Sequence, residues 1–231
     1  MKEIIRKRKS IRKYDSAPLV AAVLEKVKAQ IAKVTPLFPG MPYSIEIASK
    51  TKGAFNIKAP HYLVFSGEDS EASYENIGFI GQQLDLFLSG SGLGACWLGA
   101  SKPIEAKAAA LPPIICMSFG NPAEPLHREL AEFKRKALNE ISEGSDARLE
   151  AARLAPSAIN AQGWYFIAEN GKIHCYRKKV ASLMGLIFKK MHYIDMGIAL
   201  YHIAAESENF NYKKEASAPE RKGFVYMGTV V

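Results

Sequence analysis

With 231 residues, 48% hydrophobic and 23% charged, the chain carries enough apolar material for a sizeable core, which excludes an intrinsically disordered tract. The 31 lysines and arginines outweigh 23 aspartates and glutamates to leave a net charge of +8, which favours anionic partners such as a phosphate-bearing ligand. The basic residues lie in short clusters without the interleaved aromatics of a single-strand groove, so no nucleic-acid partner is expected.

The opening MKEIIRKRKS lacks an apolar run of signal-peptide length, and no stretch is apolar enough to span a bilayer, so a soluble cytoplasmic protein without a membrane partner is expected. Residues 19–34 read as an amphipathic helix through Val20, Leu24, Val27, Ile31 and Val34, ending before Pro36. SIEIA, 44–48, alternates as a half-buried strand, and HYLVFSG, 61–67, is a short apolar strand ending at a turn. Helical spacing returns over 74–91 through Ile77, Ile80, Leu84, Phe87 and Leu88, and stops in the glycine-rich SGSGLGA. PPIICMSFGNP, 112–122, reads as a buried strand bounded by proline and glycine.

The pattern then restarts. Ser145 can cap a helix over 146–154, which must end near Pro156 because a residue before proline avoids the helical region. GWYFIAENGKIHCYRKK, 163–179, is a hairpin signalled by Asn170-Gly171. Residues 193–206 form another amphipathic helix, and FVYMGTVV closes as a strand. The order of strand material, long helix and terminal strand thus occurs twice, which suggests two related α+β halves, unless common elements merely coincide. Cys96, Cys116 and Cys175, widely spaced among apolar neighbours, fit buried thiols better than disulfides or a metal site.

Three stretches carry candidate chemistry. RKSIRKY places Arg8, Lys9, Ser10 and Arg12 within five positions, a set that can surround a phosphate; a frayed basic terminus is the plain alternative. In LAPSAINAQGW, an extended chain over 160–162 would point Asn160 and Gln162 to one side, where two amides suit a heterocycle edge; otherwise they satisfy backbone groups in a turn. SGLGACWLGA is no dinucleotide fingerprint, but Gly99 lets main-chain N–H groups at 99 and 100 approach a flat ring, or it is an ordinary helix-to-strand loop.

Together these stretches resemble the nitroreductase-like family of FMN-dependent oxidoreductases. RKSIRKY is similar to its Arg-x-Ser-x-Arg/Lys phosphate motif, APSAINAQGW to its Pro-Ser-x-x-Asn-x-Gln-Pro-Trp motif, and GLGACWLGA to its Gly-Leu-Gly-x-x-Trp-Ile-Gly-Gly loop. SFGNPAE and FKRKALNEI resemble the strand and basic segment that follow. The departures are Gly163 for proline, Lys9 for the commoner arginine and Ala100 for the second loop glycine.

In most of this family two identical chains build each flavin site. Here the phosphate motif stands only in the first half and the Pro-Ser-x-x-Asn motif only in the second. The resemblance therefore implies an α+β nitroreductase-like fold with antiparallel-rich sheets and long central helices, in two fused halves, 1–136 and 137–231. It implies a monomer acting as a pseudo-dimer, with one FMN between the halves. Arg8, Lys9, Ser10 and Arg12 would hold phosphate and ribityl, with Arg135 and Lys136 as further phosphate contacts. Pro156, Ser157, Asn160 and Gln162 would reach the ring, and the main chain of Gly99 and Ala100 would approach it. Electrons would pass from NADH or NADPH to a small acceptor such as a nitroaromatic or quinone, with no catalytic side chain and no metal. The alternative is a flavin-handling protein without robust turnover. His192 and His202 are expected to be structural or surface residues, Asp195 a first-turn acid favoured by the helix dipole, and Trp97 and Trp164 packing residues.

Overall fold

The computed structural model describes residues 1–53, 57–104, 111–180 and 183–231, with the backbone alone for 183–188. The first half opens with a short helix α1 (Lys2–Ile5), an extended arm and helix α2 (Ala21–Ile31). Strand β1 (Tyr43–Ala48) pairs antiparallel with β3 (His61–Gly67), placing Ile45 opposite Phe65. β3 pairs in turn with β6 (Pro113–Gly120), and β6 with β4 (Gly94–Leu98), giving the sheet order β1-β3-β6-β4. A small ribbon joins β2 (Thr51–Gly53) to β5 (Ser101–Pro103). Helix α3 (Glu71–Gly90) lies on this first sheet.

The second half is assembled from α4 (Leu138–Ile141), β7 (Ser142–Gly144), α5 (Arg148–Leu154), the hairpin β8 (Trp164–Glu169) and β9 (Lys172–Lys178), the long helix α6 (Leu183–Glu206), β10 (Tyr212–Lys213) and β11 (Phe224–Val230). Its sheet runs β10-β11-β9-β8-β7, antiparallel except for the β7–β8 pair. Asn170 and Gly171 both adopt positive φ, 51° and 74°, as the tight hairpin turn requires.

The most extensive helix contact is between α3 and α6. A Cβ added at Gly78 would run into the Ile194 carbonyl oxygen, and one added at Gly197 would run into that of Glu75. The two glycines therefore bring the backbones into direct contact, and they do so reciprocally: Glu75 precedes Gly78 by the same interval as Ile194 precedes Gly197. The same spacing pairs Asn76 with Asp195. The Asn76 side-chain oxygen accepts the N–H groups of Leu37 (2.8 Å) and Phe38 (3.3 Å), just after Pro36. The Asp195 carboxylate accepts the N–H of Ala158 (2.9 Å), just after Pro156. An approximate two-fold thus relates the central helices and the loop each one holds.

Several expectations change. α3 is buried on almost every side, not on one stripe, because it lies between the first sheet and α6; Ser70 caps it, accepting from Ser73 N at 3.2 Å. α6 begins at Leu183, well before 193, so Asp195 is mid-helix and cannot be a first-turn acid. Ser145 does not cap α5; Asp146 does the equivalent work, its Oδ1 accepting from Arg148 N at 2.9 Å. The glycine-rich stretch contains strand β4, whose Trp97 stacks on Phe65 with centroids 5.5 Å apart. Trp164 is a core residue, and all three cysteines are buried free thiols. Among the described residues no helix is long and apolar enough to cross a membrane.

Candidate functional site

The N-terminal arm is fastened to the segment after β6. Arg8 bridges His127, Arg128 N donates to Lys7 O at 2.9 Å, and Arg128 Nε donates to Arg8 O at 3.0 Å. With its main chain held, Arg8 turns inward and is 0% exposed. Its Nε lies 2.9 Å from Asp85 Oδ2 on α3, and its Nη2 donates to Ser10 Oγ at 3.3 Å. Burial pushes the Asp85 carboxyl up, opposed first by Arg8 and then by the Gln82 amide. Gln82 Nε2 donates to Asp85 (2.9 Å) and meets His202 Nε2 (3.1 Å), while Gln82 Oε1 accepts from Trp97 Nε1 (3.2 Å). His202 Nδ1 lies 2.8 Å from Ala151 O, and burial lowers this imidazole to about 3, so it is a neutral ring donating from Nδ1. A buried polar chain therefore crosses α3 and α6 from Arg8 to α5.

A second cationic segment docks beside the arm. Arg128 stacks over Phe133, 4.2 Å to the ring centroid, and Arg135 lies 5.6 Å from the same ring. Arg135 Nη1 donates to Asn160 Oδ1 at 2.6 Å and Nη2 to Leu154 O at 3.3 Å. Burial depresses Arg128 and Arg135 to about 10 each, and the like charge of Arg8 acts on both; Arg12 adds to it at Arg128, and Arg128 at Arg135. Arg8 Nη1 and Arg135 Nε are buried without hydrogen-bond partners among the described residues. The site thus gathers guanidinium charge that the protein itself does not fully satisfy.

The loop after Pro156 is shaped to hold that segment. Ile159, Asn160 and Gln162 have φ of 48°, 58° and 47°, so this stretch is a left-handed turn and not the extended chain expected. The two amides nonetheless face one partner. Asn160 Nδ2 donates to Lys134 O (2.7 Å), and Gln162 Oε1 accepts from Lys136 N (2.8 Å). Lys136 Nζ donates to Ala161 O (3.1 Å) and Gln162 O (3.3 Å), and Ser157 Oγ accepts from Gln162 N (2.9 Å).

Helix α6 touches both the glycine loop and Gly163, just past the Pro156–Gln162 loop. A Cβ on Gly99 would sit 3.1 Å from Met191 Sδ, and one on Gly163 3.0 Å from His192 Nε2, so a proline at 163 would crowd the imidazole. Ala100 turns toward Gly53, whose missing Cβ leaves room for the Ala100 carbonyl. Asp195 Oδ2 and His192 Nδ1 are buried and have no hydrogen-bond partner among the described residues. Burial pushes Asp195 up to about 7, and burial with the charges of Arg177 and Lys178 lowers His192. Lys9 is turned away to Glu124 at 3.7 Å, and the same carboxylate accepts from Arg12 N at 2.7 Å.

The structure therefore brings together Arg8, Ser10, Arg135, Lys136, Ser157, Asn160 and Gln162, with Arg12 alongside, Pro156 at the loop entrance and Gly99 reached across Met191. Two participants escaped the sequence reading. Asp85 had a signal, as the one charged residue in the long stretch from Asn76 to Ser101. Arg128 had none beyond a basic neighbourhood. The two described clefts, about 680 Å3 beside Ile45, Glu46 and His61 and about 360 Å3 beside Glu75 and Tyr212, lie elsewhere.

Residues 1–207 match the family described as "Putative TM nitroreductase". A "putative nitroreductase" of Thermotoga maritima is 21% identical with a TM-score of 0.65, over 99% of this chain and 91% of that one. A nitroreductase family protein of Clostridium difficile 630 matches 61% of this chain and 95% of its own, at 18% identity and TM-score 0.49. A "Putative NADH dehydrogenase/NAD(P)H nitroreductase" of Parabacteroides distasonis matches 62% and 97%, at 17% identity and TM-score 0.49. Among curated proteins none matches. The Thermotoga structure shares the fold over nearly the full length of both chains, and with a family match reaching residue 207 this chain belongs to the nitroreductase family so described.

Proposed function

We propose that the chain is an FMN-dependent oxidoreductase that takes electrons from NADH or NADPH and passes them to a small organic acceptor such as a nitroaromatic or quinone. The observation that carries this reading is the convergence of Arg8, Arg128 and Arg135, with buried unpartnered Arg8 Nη1 and Arg135 Nε, beside the Pro156–Gln162 loop. Asp85 answers only one edge of Arg8, and Arg135, lowered by burial and by the like charges of Arg8 and Arg128, keeps an Nε–H without an acceptor among the described residues; a phosphate monoester offers two charges and several acceptor oxygens. The residues present therefore fit the flavin's phosphate. FMN, when bound, supplies the redox chemistry.

The chain's own groups have three tasks. Arg135 and Lys136, with Ser10 and Arg12, hold the phosphate end, while Asp85 fixes the Arg8 side chain. Asn160 and Gln162 keep the 134–136 segment in register with the loop, and their ring-facing role requires them to exchange those backbone bonds. Met191 against Gly99 sets the distance between the glycine loop and α6. The pseudo-dimeric halves, divided near residue 136, make this a one-site monomer.

Anaerobic addition of NADPH or NADH to FMN-loaded protein should bleach the flavin's visible absorbance, and an oxidising nitroaromatic or quinone should restore it. Arg135→Ala should weaken FMN about ten- to a hundredfold, from about 1.5–3 kcal/mol for a charge-assisted contact. A second reading, a flavin holder without turnover, draws on the engagement of both amides by residues 134–136; yellow protein that neither nicotinamide bleaches would select it.

A further inference from the structure

The cleft of about 360 Å3 between α3, α6 and the β10–β11 pair has a position fixed by the approximate two-fold. Phe38, held through its N–H by Asn76, lines it together with the first turns of α3. It therefore stands to α3 and the loop after Pro36 as the candidate flavin site stands to α6 and the loop after Pro156. Its chemistry is different. Among its described lining residues there is no arginine; Lys213 and Lys214 stand on its β-strand side, and Phe38, Tyr193, Tyr212 and Tyr226 surround the carboxylate of Glu75.

Glu75 is 4% exposed, and its Oε1 accepts from Tyr212 OH at 2.8 Å. Glu71 at the rim is ion-paired with Lys189 at 2.7 Å; among the described residues Glu75 has no cation within ion-pair distance. Burial without a cation pushes its carboxyl up to about 7, although Tyr212 OH and the more distant Lys214 pull it down. The surrounding rings already attract positive charge: Arg177 lies 4.6 Å from the Tyr193 centroid and Lys214 Nζ 5.1 Å from that of Tyr226. Phe38 and Tyr212, 6.2 Å apart and inclined at 41°, offer two further ring surfaces. A buried carboxylate lacking a direct cation among aromatic faces is the pattern that recognises an ammonium on an apolar body.

We propose that this cleft binds a small organic cation, an aromatic or arylalkyl ammonium whose head meets Glu75 and whose body lies among Phe38, Tyr212 and Tyr226. The volume is within the range of small-molecule sites and admits a single substituted ring. The inference stands apart from the flavin reading, because the cleft shares no lining residue with the candidate site.

Benzylamine and the neutral benzyl alcohol, titrated calorimetrically into flavin-free and FMN-loaded protein, test it. Benzylamine should bind saturably with one equivalent per chain in both forms, at least tenfold more tightly than the alcohol. Glu75→Gln keeps an acceptor for Tyr212 but loses the charge, and should weaken benzylamine about ten- to a hundredfold. Ala72→Trp, at a partly exposed position in the lining, should abolish binding while the far-ultraviolet circular dichroism stays native. Equal affinity for the alcohol, an unchanged Glu75→Gln affinity, no saturable binding, or a second FMN that Ala72→Trp removes would each overturn the proposal.

Discussion

Arg8 and Asp85 offer a test of how the candidate site is supported from beneath. Both side chains are 1% exposed and 2.9 Å apart, so removing either one leaves the other as a buried, uncompensated charge. Such a loss costs about 3–5 kcal/mol, far more than the net worth of the intact pair, because the desolvation of the surviving ion is no longer offset. For a chain of 231 residues, about 2–4 °C accompanies each kcal/mol, so Arg8→Ala and Asp85→Asn should each lower the melting temperature by about 6–20 °C. The double variant Arg8→Met with Asp85→Leu, which replaces both charges by apolar groups of similar bulk, should recover most of that loss. Thermal unfolding of flavin-free protein, followed by circular dichroism, keeps ligand linkage out of the measurement. Single variants that each melt within about 2 °C of the wild type, with the double variant merely additive, would refute the pairing. FMN titration of the double variant then separates the two tasks of Arg8, since an unchanged affinity would leave it a supporting residue only.

Gly78→Ala and Gly197→Ala each drive a methyl into a helix carbonyl across the α3–α6 crossing and should cost about 3 kcal/mol or more, whereas Gly90→Ala, with only Ile4 at 3.4 Å, should be neutral or slightly stabilising; chemical denaturation compares the three. Asp195, raised to about 7 by burial, keeps its proton in the native state between about pH 4 and 7 while the unfolded chain has lost it, so its own contribution to stability falls as pH rises through that window, by on the order of 4 kcal/mol, beside a like contribution from Glu75 and an opposite one from His202, lowered to about 3. Asp195→Asn should remove that contribution, so that stability rises more, or falls less, from pH 4.5 through 6 to 8 than in the wild type in urea titrations, and a pH dependence equal to the wild type would exclude Asp195 as a source. Asn160→Ala and Arg135→Ala should each weaken FMN, and together by much less than the sum, because the 2.6 Å bond joins them into one unit; additive losses in fluorescence titrations would show that they act separately.

The sequence carried the architecture well where periodicity and turn chemistry agree. Asn170-Gly171 gave the β8–β9 hairpin, and the Pro156 boundary closed α5 with Leu154 as its last residue. It was misleading where burial is two-sided. The spacing of Ile77, Ile80, Leu84, Phe87 and Leu88 marks one face of α3, yet Asn76, Gln82, Gln83 and Asp85 off that face are buried too, and each makes a buried hydrogen bond or ion pair. α6 starts ten residues before 193, and Leu183, Ile187 and Met191 already carry the spacing that Ile194 and Ile198 continue, so Asp195 lies mid-helix and not in a first turn. At the candidate site the residue types were legible from motifs, but their partners were not. Nothing local announces that Asn160 and Gln162 will grip the backbone of residues 134 and 136, since that contact depends on a left-handed turn with φ of 58° at Asn160.

The two-fold at the α3–α6 crossing explains which features the halves share and which they do not. Gly78 and Gly197 must lack side chains for the helices to meet, and Asn76 and Asp195 must each accept N–H groups that would otherwise be buried without a partner. Those requirements belong to the frame, so they appear twice. Groups proposed to serve a ligand answer no such demand, and they differ: Ser157, Asn160 and Gln162 follow Pro156, whereas Leu37, Phe38 and Pro39 follow Pro36. The cationic cluster likewise lies beside only one of the two loops, with Glu75 and tyrosines beside the other. A symmetric frame with asymmetric linings can hold two chemically unrelated ligands, an anion against α6 and a cation against α3, without either site straining the helix crossing that positions both.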